Sequence, residues 1–142
     1  MFAAPAPGTA RPLHLAHAML LAAAAALFIG GLLSDLAYVR TYQVQWVNFA
    51  AWLIAGAMVF TGLALAWSLL EIVLARFRQV RTLFVALLLL AVFVLGLLDS
   101  FMHARDAWGS MPSGLLMTLA TTALCLAAIW VGISARRPAG AA

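Results

Sequence analysis

The stretch TLFVALLLLAVFVLGLL (residues 82–98) decides the fold, because it runs for 17 residues without a charged side chain. Crossing the ~30 Å hydrocarbon core of a bilayer takes roughly 20 apolar residues in a helix. Three further apolar segments lie at about 13–33, 47–70 and 114–133. Because these four segments fill most of the chain, the sequence predicts an all-α integral membrane protein built as a four-transmembrane-helix bundle.

Composition excludes a soluble domain. Hydrophobic residues make up 67% of the chain and charged residues 8%, whereas soluble domains average roughly 45–50% and 25%. A chain of 142 residues cannot hide so much apolar surface from water, so lipid is the expected solvent. The net charge of +4 comes from arginines scattered between apolar segments, which is unlike the basic face of a nucleic-acid-binding protein.

The apolar segments and their polar flanks also set the predicted boundaries. We predict a transmembrane domain over residues 12–135, with helices at about 13–35, 47–72, 80–101 and 113–134. Residues 1–11, rich in Ala, Pro and Gly, are expected to form a flexible cytoplasmic tail. Residues 136–142 are expected to form a second cytoplasmic tail.

The arginines predict the orientation in the membrane. Six of the eight lie on one side of the predicted spans, and only Arg40 and Arg105 lie on the other. Since arginine and lysine are enriched in cytoplasmic loops, both termini are expected inside the cell and the connections at 34–46 and 99–113 outside. The expected location is the bacterial inner (plasma) membrane.

A shift of 65 residues superposes FIGGLLSDLAYVR (28–40) on FVLGLLDSFMHAR (93–105), with five of 13 positions identical. In this alignment Arg40 corresponds to Arg105, and the pair Ser34–Asp35 corresponds to the reversed pair Asp99–Ser100. Since the first and third spans cross in the same direction, a true repeat would be a duplicated parallel helical hairpin.

Three histidines raise the question of a haem or metal site. His14 and His17 begin the first span, and His103 ends the third span on the opposite side. About 30 Å of bilayer separates these ends, whereas a metal–imidazole bond is about 2 Å long. The sequence therefore predicts no metal site and no bound cofactor. The alternative is haem b or quinone, held by His14 and His17 at one end or by Asp99 and His103 at the other.

Polar and aromatic side chains are concentrated at the expected outer end. Asp99 and His103 are four residues apart, the helical spacing at which a carboxylate can hydrogen-bond an imidazole. Asp35 would lie near them if the two hairpins packed symmetrically. The residues predicted to dock a partner are Asp35, Tyr38, Arg40, Tyr42, Trp46, Asn48, His103, Arg105, Asp106 and Trp108.

Two runs, AYVRTYQVQWVNFAAWLIAG (37–56) and VLGLLDSFMHARDAWGSMPSG (94–114), resemble a family of small bacterial inner-membrane proteins, domain-of-unknown-function family 2231. The resemblance covers about residues 11–132 and implies four membrane helices. It supplies no catalytic residue, and it loosely implies a periplasmic redox partner.

The sequence contains no nucleophile with an adjacent base, no phosphate-binding glycine loop and no paired carboxylates in a cleft. We therefore predict a non-enzymatic scaffold or accessory subunit that docks a periplasmic or membrane partner through its outer loops. Besides the lipid bilayer, the expected partner is a redox protein, and a homo-oligomer is compatible with the small-residue faces of the second span. The alternative is a redox component that passes electrons to quinone or binds haem.

Overall fold

The structure is a computed structural model that describes residues 15–74, 80–105 and 107–134. Within these ranges five helices follow one another: α1 (Leu15–Thr41), α2 (Val44–Leu74), α3 (Val80–His103), α4 (Ala107–Ser110) and α5 (Ser113–Ser134). The described residues contain no strand. Four helices are long and apolar enough to span a membrane, with Thr82–His103 as the spanning part of α3 and Ser113–Ile133 as that of α5. The predicted all-helical, four-span fold is confirmed.

The four long helices are arranged in a ring in the order α1, α2, α3 and α5. Each one packs mainly against its two neighbours in the ring, and consecutive helices run in opposite directions along the chain. Two ends of the bundle follow from this order. We call the end where α1 and α3 finish and α2 and α5 begin the aspartate end, and the opposite one the His17 end.

The interior between the two ends is apolar. Phe28 of α1, Ile54 of α2 and Val92 of α3 are fully buried in one cluster, and Leu21 and Leu89 lie in a second cluster nearer the His17 end. Alanines of α1 and α2 pack among these side chains, where small residues let helices approach closely. Large apolar side chains also cover the outside of the bundle, as expected where lipid is the solvent.

Helix α1 continues to Thr41, six residues beyond the predicted boundary, so most of the stretch 34–46 is helix rather than loop. Only Tyr42 and Gln43 separate α1 from α2. Tyr42 has a left-handed φ of 54°, and its backbone N–H donates to the carbonyl of Tyr38 at 2.7 Å, which closes the helix. The polar residues of this stretch indicated a loop. The helix nevertheless continues past the apolar run, because its backbone groups hydrogen-bond to one another whether the side chains are polar or apolar. The short helix α4 was not predicted.

Helices α1 and α3 bury equivalent positions under the 65-residue shift. The buried pairs are Gly31 with Gly96, Ser34 with Asp99 and Tyr38 with His103. The faces that point inward therefore agree, and the duplication stays a prediction.

Candidate functional site

A cluster of polar side chains fills the interior of the bundle at the aspartate end. His103 lies at its centre, with Nε2 at 2.9 Å from Oδ1 of Asp35 and Nδ1 at 3.1 Å from Oδ1 of Asp99. The Nδ1 atom also lies 3.0 Å from the backbone carbonyl oxygen of Asp99. Both ring nitrogens thus contact oxygen atoms of the protein itself.

Thr118 connects the two carboxylates. Its hydroxyl lies 2.7 Å from Oδ2 of Asp35 and 3.2 Å from Oδ1 of Asp99. A third oxygen, the carbonyl of Gly114, is 3.0 Å away. We call Asp35, Asp99, His103 and Thr118 together the acid cluster; it joins α1, α3 and α5.

The local sequence explains how each side chain reaches the cluster. Asp99 and His103 are one helical turn apart on α3, and Gly114 leaves room for the imidazole, because a Cβ there would lie 3.1 Å from its Cε1. The serines beside the two aspartates bond their own helices instead. Ser34 donates to the carbonyl of Gly30 and Ser100 to that of Gly96, which leaves the carboxylates for contacts between helices.

The acid cluster is closed off from solvent. Asp35, Asp99 and Thr118 are 0% exposed and His103 is 5% exposed. One oxygen, Oδ2 of Asp99, has no hydrogen-bond partner among the described residues. Removing a charge from water costs several kcal/mol per ion unless close partners compensate. Among the described residues, the ion-pair partner of both carboxylates is His103.

A cleft of about 330 Å³ opens beside the cluster, between the start of α2 and the end of α3. Apolar side chains of α2 form one wall, and Gln45, Asn48 and Arg105 supply polar groups. His103 also lines the cleft. The cleft therefore brings the outer surface of the bundle up to the edge of the acid cluster.

A second polar group lies at the His17 end. His17 is buried, and its Nε2 lies 3.3 Å from the hydroxyl of Ser68 on α2. The ring stacks near Trp67, whose indole N–H donates to Glu71 at 2.9 Å. The helical distance from His17 to Asp35 is roughly 27 Å at ~1.5 Å per residue, so this group is remote from the acid cluster.

The structure separates the predicted site residues into three groups. Asp35, Tyr38 and His103 are buried in the bundle, and their part in docking a partner stays a prediction. Trp46 is half-buried, and Arg40, Tyr42, Asn48 and Arg105 are exposed. His14, Asp106 and the side chain of Trp108 lie outside the described residues.

The candidate cofactor residues do not converge on one centre. His17 lies at one end of the bundle, and His103 and Asp99 lie at the other. In the described part of the chain, no three His, Cys, Asp or Glu side chains are arranged to hold a metal ion. Thr118 was not singled out from the sequence, although the run TLATT (118–122) places three hydroxyls in an apolar helix, which is a recognisable signal.

Residues 13–138 match the model of a family described as "Predicted membrane protein (DUF2231)". The chain belongs to the DUF2231 family. This match includes all four membrane helices and the acid cluster, and it confirms the resemblance seen in residues 37–56 and 94–114. No curated protein and no solved structure matches the chain. The DUF2231 match and the four apolar helices together indicate a multi-pass membrane protein.

Proposed function

We propose that this DUF2231 protein is a non-enzymatic scaffold or accessory subunit, whose aspartate end docks a periplasmic or membrane partner. The observation that carries the proposal is that the acidic side chains and His103 bond one another inside the bundle. They join three helices and present neither a free ring nitrogen nor an exposed carboxylate to a substrate. Such a cluster holds the end of the bundle in one shape.

The same end carries polar side chains that are free to meet a partner. Arg40, Gln45, Asn48 and Arg105 are exposed, and Gln45, Asn48 and Arg105 border the cleft. The arginine count supports an outward orientation for this end. We infer an inner-membrane location with the aspartate end facing the periplasm, where a redox partner protein would bind.

Site-directed photo-crosslinking in living cells tests the docking role. A photoreactive residue at Gln45 or Asn48 should produce one adduct with a distinct protein, identified by mass spectrometry. Leu74 is an exposed residue of the same helix at the opposite end and provides the matched control. The proposal fails if positions 45 and 48 give no adduct, or if Leu74 gives the same one.

A specific observation also favours a second candidate, the binding of a quinone head group. The cleft beside His103 combines an apolar wall with three side chains that can donate hydrogen bonds, which is the usual character of a site for a small amphipathic molecule. Because both nitrogens of His103 are engaged, the donors to a quinone carbonyl would be Gln45, Asn48 and Arg105.

Binding of a quinone analogue to the purified protein distinguishes the two candidates. Saturable binding that is weakened by Asn48→Ala and Arg105→Gln, and unchanged in Glu71→Gln, would favour the quinone site. The optical spectrum tests haem b separately. We expect no Soret band, because both ring nitrogens of His103 contact oxygen atoms, and His17 lies at the opposite end of the bundle, too far away to bind the same iron.

A further inference from the structure

We propose that the acid cluster is a buried proton-binding site. The proton count is made relative to a reference state in which Asp35 and Asp99 are ionised and His103 is neutral. In the hydrogen-bonded state the cluster holds two protons more than in that reference state. The inference goes beyond the scaffold role and does not depend on it. It follows from an inventory of donors and acceptors, because every hydrogen bond needs one hydrogen between its two heavy atoms.

The first additional proton lies between His103 and Asp35. A backbone carbonyl only accepts, so the 3.0 Å contact with the carbonyl of Asp99 requires a hydrogen on Nδ1 of His103. The 2.9 Å contact between Nε2 and Oδ1 of Asp35 then requires another hydrogen. Whether this hydrogen resides on the imidazole or on the carboxyl, the His103–Asp35 pair is neutral overall.

The second additional proton belongs to Asp99. The hydroxyl of Thr118 has a single hydrogen but lies near three oxygens, those of Asp35, Asp99 and the Gly114 carbonyl. Its shortest contact, 2.7 Å to Asp35, takes that hydrogen. The Thr118 oxygen can then only accept a hydrogen bond from Asp99. That contact is favourable if Asp99 carries a proton and donates it to Thr118.

Burial points to the same state of Asp99. Its Oδ2 atom is buried without a partner among the described residues, so an ionised Asp99 would leave an anionic oxygen with no donor in a site that is 0% exposed. Since the His103–Asp35 pair is already neutral, that charge would also be uncompensated. Protonation of Asp99 makes the whole cluster neutral, the state favoured in a water-excluded bundle.

Protons can reach the cluster from one side. The cleft brings solvent at the aspartate end to His103, whereas Phe28, Ile54 and Val92 fill the bundle in the other direction. This arrangement fits a binding site with access from one face and does not form a path to His17. Asp35, Asp99 and the Thr118 hydroxyl belong to the cluster itself, and Tyr38 of α1 is buried at the same end of the bundle. The cleft beside His103 is lined by the uncharged Gln45 and Asn48 of α2 and by Arg105, which follows α3.

The site would link protonation to helix packing. Loss of the Asp99 proton leaves a net negative charge where α1, α3 and α5 meet. Unfolding exposes the aspartates to water and releases both additional protons at neutral pH, so the folded state binds more protons than the unfolded state. The stability of the bundle should therefore fall as pH rises.

Solid-state NMR of protein labelled with ¹³C-aspartate, in lipid bilayers, tests the proposal directly. The chain has three aspartates, Asp35, Asp99 and Asp106. At neutral pH we expect a protonated-acid carboxyl signal that belongs to Asp99, so that it is lost in Asp99→Asn and persists in the control Asp106→Asn. The proposal is overturned if every aspartate of the wild type is ionised, or if Asp99→Asn removes no protonated-acid signal.

A measurement on the unmodified protein keeps the test valid should Asp99→Asn not fold. On raising the pH, the protonated-acid signal of the wild type should convert to that of an ionised carboxylate, while Tm falls over the same pH interval. A Tm that is independent of pH while the signal converts would show that the proton is not linked to packing and would overturn that part of the inference.

Discussion

Nε2 of His103 on α3 lies 2.9 Å from Oδ1 of Asp35 on α1, although the two residues are 68 positions apart in the chain. The contact brings the end of the third membrane helix against the last turns of the first. Thr118 adds α5 through the second oxygen of Asp35. The buried carboxylate of Asp35 thus contacts both other helices of the acid cluster, α3 through His103 and α5 through Thr118.

Replacing Thr118 with valine should destabilise the protein by about 1–3 kcal/mol, because the substitution keeps the shape but leaves Asp35 without its hydroxyl donor. Thr121→Val is the matched control, since the Thr121 hydroxyl is buried and has no hydrogen-bond partner among the described residues. The control should be neutral or stabilising. Unfolding of both variants in the same detergent measures the difference, and equal losses would contradict the role assigned to Thr118.

Replacing His103 with leucine should cost about 3–5 kcal/mol, because it leaves two buried carboxyl groups without their imidazole. The double variant Asp35→Leu/His103→Leu should lose less than the sum of the two single variants, with a coupling of about 0.5–3 kcal/mol. A double-mutant cycle of unfolding free energies provides the measurement. Strict additivity would mean that the 2.9 Å contact contributes nothing to stability.

Gly114→Ala should displace the imidazole of His103, because the added Cβ would lie 3.1 Å from its Cε1. Overpacking of this kind costs about 1–3 kcal/mol. Gly109→Ala serves as the control, since among the described residues a Cβ there would meet the Cβ of Arg105 at 3.9 Å, an ordinary van der Waals contact. The ¹⁵N signals of the His103 ring should shift in the first variant and stay in place in the second. Unchanged ring signals in both would contradict the packing of His103 against α5.

The proposed orientation has a test of its own. A reporter enzyme fused after Ala142 should behave as cytoplasmic, because six of eight arginines lie on that side of the spans. A reporter inserted between Tyr42 and Gln43, which link α1 and α2, should behave as periplasmic. Periplasmic activity of the C-terminal fusion would reverse the orientation and place the aspartate end in the cytoplasm.

The hydropathy of the sequence predicted the number and type of helices. The predicted segments 47–70, 82–98 and 114–133 each lie within a long helix, and the described part of the segment 13–33, from Leu15 onward, lies within α1. The contact of Asp99 with His103 was also predicted, since the i, i+4 spacing is a local property. Helix ends were predicted less well, because polar residues at the membrane surface fit a loop and a helical turn equally well.

The sequence by itself therefore determined the all-helical, four-span architecture, because crossing a bilayer requires long apolar runs that satisfy their own backbone hydrogen bonds. Only the tertiary structure decided that Asp35, His103 and Thr118 meet in one buried cluster. Their contacts join residues up to 83 positions apart and depend on the rotation and order of the helices. Those features follow from side-chain packing between helices, which periodicity along one chain segment does not specify.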